Sequence, residues 1–73
     1  METRRTYFNF ADWLRNELKT RRMTVAKLSA ISGVHPNTIH NYLTFRCEPS
    51  LYNVNLIVAA LGYKLEVVHN DNK

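Results

Sequence analysis

The sequence predicts a mainly α domain of four helices followed by a short C-terminal β-strand. Three observations lead there. Apolar residues recur at three- and four-residue spacing from Phe10 to Leu61. A residue suited to capping stands before each such stretch. The period then changes to two over residues 63–68, Tyr-Lys-Leu-Glu-Val-Val. At 73 residues the chain holds one domain with a single small core. Hydrophobic residues make up 45% of it and charged residues 22%, which sets it apart from disordered chains.

Residues 1–7 have no helical period, and Thr3, Thr6 and Tyr7 favour extended backbone, so the segment is read as an arm or a short strand. The first helix starts after Asn9, a good N-cap, with Asp12 at the third position. Phe8 and Trp13 have the spacing of a hydrophobic staple. Phe10, Trp13, Leu14 and Leu18 form its apolar face, and Lys19-Thr20-Arg21-Arg22 ends it with charge that suits the helix dipole. The second helix is capped by Thr24, carries Val25, Leu28 and Ile31, and stops at Gly33, read as a left-handed residue. In the third, His35 is the candidate cap and Pro36 takes the first position, where a missing N–H costs nothing. Ile39, Tyr42 and Leu43 are its apolar side; Asn37, Thr38, His40 and Asn41 make the rest polar and almost uncharged. Residues 44–49 are a loop. Ser50 caps a fourth helix with Leu51, Val54, Ile57, Val58 and Leu61 on a wide stripe, and Gly62 ends it. In the strand, Tyr63, Leu65 and Val67 lie on one side, Lys64 and Glu66 on the other. Residues 70–73 are expected to fray.

Several function classes drop out. No apolar run approaches the ~20 residues that span a bilayer. The basic N-terminus is not followed by the apolar stretch of a signal peptide. The one cysteine, Cys47, cannot form an internal disulfide, which fits a reducing cytoplasm; the expected location is the bacterial cytoplasm or nucleoid. His35 and His40, five residues apart, fall on different helix faces, and no further ligand is near Cys47, so no metal site or cofactor is expected. There is no paired carboxylate, no Ser–His–Asp set and no phosphate loop, so an enzyme is not expected, nor a small-molecule ligand.

The net charge of +4 points weakly toward polyanions; its distribution says more. No acid stands between Glu17 and Glu48, a stretch that holds Lys19, Arg21, Arg22, Lys27 and Arg46 with His35 and His40. Such a stretch is either a solvated basic face or a surface shaped for phosphate. Inside it, residues 24–43 place two short helices around Ser32-Gly33-Val34, the spacing of a helix-turn-helix. Leu28, Ser29, Val34, Ile39 and Tyr42 occupy the inner offsets. Ser29 is expected to be small because the next helix packs over it, and Gly33 to keep a side chain out of the turn.

Over residues 10–62 the chain resembles the phage-repressor/Cro helix-turn-helix regulators, the lambda repressor-like or XRE family. The resemblance rests on Gly33-Val34, Thr38-Ile39, Pro49-Ser50 and the Ala60-Leu61-Gly62 ending taken together. It implies a four- to five-helix lambda repressor-like domain whose helix 36–43 lies in a DNA major groove. Base-reading candidates are then Pro36, Asn37, His40 and Asn41: Asn pairs bidentately with adenine, His40 can reach a purine acceptor, and Pro36 can touch a thymine methyl. Phosphate candidates are Thr24, Val25 through its backbone N–H, Thr38, Tyr42 and Arg46. Val25 stands where many members have Gln, and Pro36 where many have a polar residue.

Each residue also has a plainer role available. Asn37 and Asn41 could be solvated helix residues, Tyr42 a core residue, Cys47 an inert thiol, and Arg4 and Arg5 a solvated tail rather than a grip on DNA. The expected function is a sequence-specific double-stranded DNA-binding regulator, a repressor acting as a homodimer. The alternative is an antitoxin-like protein-interaction module of the same fold, which would bring an apolar-studded tail to wrap its partner. The strand, through Tyr63, Leu65 and Val67, is expected to pair between chains; pairing with the segment around residues 3–7 is the other possibility.

Overall fold

The computed structural model describes residues 9–66 and residue 69. Over these residues the chain forms four helices: α1 Phe10–Arg21, α2 Val25–Ser32, α3 Pro36–Leu43 and α4 Leu51–Ala60. Each begins on the expected cap. Asn9 Oδ1, Thr24 Oγ1 and Ser50 Oγ each accept the backbone N–H three residues on, from Asp12, Lys27 and Asn53, all at 3.1 Å. Each bond satisfies one of the donors a helix start leaves without a partner. His35 does the same with a ring nitrogen: Nδ1 accepts from the Asn37 amide at 3.0 Å, and Pro36 follows at the first helical position.

All four helices close through a left-handed residue: Arg22 at φ 55°, Gly33 at 82°, Phe45 at 61° and Gly62 at 92°. At Arg22, Phe45 and Gly62 two reversed bonds finish the helix. The left-handed residue donates to a carbonyl three back, and the next residue to one five back: Met23 to Leu18, Arg46 to Asn41, Tyr63 to Val58. Gly33 uses a single bond, to the Ser29 carbonyl at 2.9 Å. Gly33 was expected in this role and Gly62 as the end of its helix; Arg22 and Phe45 were not, and a side chain there costs about 1 kcal/mol. The reason for Gly33 also differs from the expected one. A Cβ at Gly33 would meet nothing within 4 Å, so the turn has room, and only its positive φ calls for glycine.

Leu14, Leu28, Ile39 and Ile57 are fully buried, one from each helix. Phe10, Leu18, Val34, Tyr42, Val58 and Leu61 complete the core. α2 packs against both α3 and α4, and α1 packs against α3. Two residues placed on apolar faces by spacing are exposed instead. Ile31 lies toward the end of α2 and Leu51 opens α4, where no other helix covers them. No helix among the described residues is long and apolar enough to cross a membrane.

The C-terminal expectation is revised. Residues 63–66 are neither helix nor strand. A strand needs a ladder partner, and among the described residues there is no other strand to supply one. Tyr63 is also committed elsewhere, on α1. Its ring meets Trp13 edge-on at 5.4 Å, and its hydroxyl donates to Glu17 Oε2 at 2.9 Å. The Arg21 guanidinium lies 5.7 Å from the Tyr63 ring and donates to the Leu61 carbonyl at 2.8 Å and to Glu17 Oε1 at 2.8 Å. Tyr63 therefore takes part in the fold, and its side chain stays 45% exposed. The N-terminal arm, Phe8 of the staple, and Val67 lie outside the described residues.

Two predictions follow from caps and clamp. Gly33→Ala should lower the unfolding free energy by about 1–2 kcal/mol and Arg22→Gly should raise it by up to about 1 kcal/mol. Urea melts with unchanged slopes check both. The second concerns acid. The Arg21 hydrogen bond holds the Glu17 carboxyl below its ordinary value of 4.5; desolvation opposes this, and the Tyr63 hydroxyl adds to it. A depressed carboxyl stabilises the fold above its unfolded pKa and loses that contribution as pH falls through the folded one. The Tyr63 clamp should thus loosen below pH 4.5, read as a change in Trp13 fluorescence. Glu17→Gln should show the loosened signal already at neutral pH and no acid transition from this source.

Candidate nucleic-acid interface

The rotation of α3 follows from what it buries. With Ile39 and Tyr42 held inside, residues three and four apart on the other side must face out. Pro36, Asn37 and His40 are exposed and Asn41 is half-buried, so the four base-reading candidates form one strip along α3. Thr44 extends it, with its hydroxyl turned back to donate to the His40 carbonyl at 2.9 Å. Every side chain on the strip is polar or apolar and none is acidic.

The phosphate candidates divide. Thr24 is exposed at the start of α2, and its hydroxyl is engaged as the cap. That bond serves the amide of Lys27, and the Thr24 carbonyl serves Leu28, which leaves the amides of Val25 and Ala26 facing out of the helix end. The Val25 side chain is half-buried against the core, so only its backbone is on offer. Thr38 is half-buried. Arg46 is exposed at the first residue past the left-handed turn, its amide fixed on the Asn41 carbonyl at 2.9 Å. Tyr42 leaves the set. Its ring is 4% exposed, edge-on to Phe10 at 6.2 Å, and its hydroxyl accepts from Asn53 Nδ2 at 2.9 Å. A ring wedged between α1 and α4 is not presented to a phosphate.

The ion pairs refine the charge reading. Asp12 is bound by Arg15 at 3.2 Å and Glu17 by Arg21 at 2.8 Å. Arg21 is thereby withdrawn from the acid-free cationic set. Lys19, Arg22, Lys27 and Arg46 are exposed and make no ion pair among the described residues, so these four carry the positive charge of the acid-free stretch. No group of three or more His, Cys, Asp or Glu side chains among the described residues is placed to hold a metal ion. Cys47 is exposed.

Sequence reading did not single out Arg15 and Phe45. Arg15 donates to the Leu43 carbonyl at the last residue of α3, and its guanidinium lies 5.8 Å from the Phe45 ring centre. Phe45 is exposed in a strained left-handed conformation between α3 and Arg46. The pair braces the chain where the polar strip ends. Nothing in Leu43-Thr44-Phe45-Arg46 signals a turn of this kind, because the usual glycine is missing.

No protein-family model, no curated protein and no solved structure matches this chain.

Proposed function

We propose that this chain is a sequence-specific double-stranded DNA-binding transcriptional regulator of phage or mobile-element type, a repressor with a lambda repressor-like helix-turn-helix fold. It reads the major groove with α3 and acts as a homodimer. One observation carries the reading: an acid-free strip on α3 of exposed Asn37 and His40 with half-buried Asn41, together with Lys27 and Arg46, which are exposed and make no ion pair among the described residues. Amide side chains offer a donor and an acceptor together, which matches the major-groove edge of adenine. The amides at the start of α2 and the Arg46 guanidinium bind phosphates on either side and set the register without reading sequence. Occupying a promoter would then exclude polymerase. An interaction module of antitoxin type is the second reading, and the exposure of Leu51 and Tyr52 favours it.

Binding to duplex DNA should depend steeply on salt. With about 6–10 phosphate contacts per dimer, affinity should fall by about 10³- to 10⁵-fold between roughly 50 and 200 mM salt. A fluorescence-anisotropy titration with no salt slope would refute the DNA reading. The roles of the side chains separate in the same assay. Asn41→Ala should cost about 1–3 kcal/mol on the preferred sequence and little on random duplex, whereas Arg46→Ala should weaken both alike. Equal losses on every sequence for both variants would leave Asn41 without a reading role.

A further inference from the structure

We infer that the exposed ring of Phe45 packs against a deoxyribose of the DNA backbone, a contact that is neither ionic nor selective for sequence. The inference rests on the proposed DNA reading and gives a place in that interface to a residue that has none so far.

Phe45 sits in a conformation that suits glycine. Its φ is 61°, and a bulky side chain in the left-handed region is strained. Burial does not offset the strain, because the residue is 61% exposed. The Arg15 guanidinium lies 5.8 Å from the ring centre, an attraction that is weak at exposed sites. Arg15 has anchors of its own, the Leu43 carbonyl and Asp12 at 3.2 Å, so the ring is not needed to hold it. A glycine at this position would close α3 with the same two reversed bonds, from residue 45 to the Tyr42 carbonyl and from Arg46 to the Asn41 carbonyl, and without strain. The fold does not account for an aromatic side chain here, and backbone strain that the fold does not repay points to function.

Position indicates which function. Thr44 ends the polar strip of α3, Phe45 comes next, and Arg46 follows. In duplex DNA the order outward from the groove floor is base edge, deoxyribose, phosphate. The chain offers the matching order: amide side chains on the strip, then an apolar ring, then a cation. Deoxyribose presents C–H groups, and an aromatic ring covers such a surface with a large area at low conformational cost. Phe45 and Arg46 border one open cleft of about 540 Å³, and Glu48 borders it too. A carboxylate beside the cleft repels a phosphate but not an uncharged sugar. Arg15 keeps the ring in place before DNA arrives, which reduces the ordering cost of binding.

Anisotropy titrations of the full chain test the contact, using a duplex selected by the wild type from a randomised pool and a scrambled duplex. Phe45→Gly removes the ring and suits the positive φ. It should weaken binding about tenfold on both duplexes, the loss of one partly buried apolar contact. Its salt slope should equal that of the wild type, because no counterion release is lost, whereas Arg46→Ala should lower the slope by about one per site. Phe45→Tyr keeps the ring and should bind within about threefold of the wild type. The urea midpoint of Phe45→Gly should match or exceed that of the wild type, which separates the binding loss from a loss of fold. Phe45→Asn, whose side chain also tolerates a positive φ, should reproduce the weakened binding. If both of these variants lose the fold, the ring is a structural brace and the proposal is overturned. Wild-type affinity in Phe45→Gly overturns it as well. So does a loss confined to the selected duplex, which would make the ring a base reader, or a lowered salt slope, which would mean that Phe45 acts by placing Arg46. Each of these results leaves the DNA reading standing; a wild type that binds neither duplex with a salt slope refutes that reading, and the sugar contact with it.

Discussion

Four aliphatic side chains, Leu14, Leu28, Ile39 and Ile57, meet at the centre of this domain with no exposed surface. Each comes from a different helix, and none of the four helices exceeds 12 residues. Helices this short are not stable alone in water. Their order comes from this shared burial, at about 1.5–3 kcal/mol for each large side chain. A domain of this size is stable by only about 4–10 kcal/mol, and truncating one such residue to alanine costs about 2–5 kcal/mol. The central cluster is therefore held in common: loosening one helix removes a wall from the other three.

α1 connects that cluster to the helix ends around it. Arg15 donates to the Leu43 carbonyl at the end of α3, and Arg21 to the Leu61 carbonyl that closes α4. Each arginine is steadied by an acid one turn earlier, Asp12 and Glu17. Cations at helix C-termini favour the dipole and satisfy carbonyls left without an intrahelical donor. The same pattern explains the electrostatics of the outer surface. The acids of α1 are spent on its own arginines, and the cations past its end, Arg22 and Lys27 among them, are exposed and make no ion pair among the described residues. One helix thus both braces the fold and leaves the positive charge unneutralised where α2 and α3 present their polar strip.

Much of this was legible in the sequence because it depends on local chemistry. Asn9, Thr24, His35 and Ser50 cap helices through bonds spanning two or three residues, and Gly33 and Gly62 accept a positive φ; neither requires a distant partner. The outward strip of α3 was legible too, since the 3.6-residue period that buries Ile39 turns Asn37, His40 and Asn41 away from it. The left-handed turns at Arg22 and Phe45 were not, because nothing in either side chain favours that conformation. They form because the two reversed bonds at each helix end, and the packing beyond them, outweigh about 1 kcal/mol of strain.

The sequence by itself determined where helices begin, which residue types face outward on α3, and where acids are absent. Only the tertiary structure decided which apolar and aromatic residues are covered. Tyr42 and Tyr63 both carry a hydroxyl that could serve an interface, yet Tyr42 is sealed against Phe10 and Asn53 and Tyr63 is drawn onto Trp13, Glu17 and Arg21. Leu51 continues the spacing of Val54, Ile57 and Val58 and is nonetheless left in the open. Periodicity determines the direction in which a side chain points. Whether another element stands there to meet it depends on the lengths and crossing of the other helices, and those are set by residues far away along the chain.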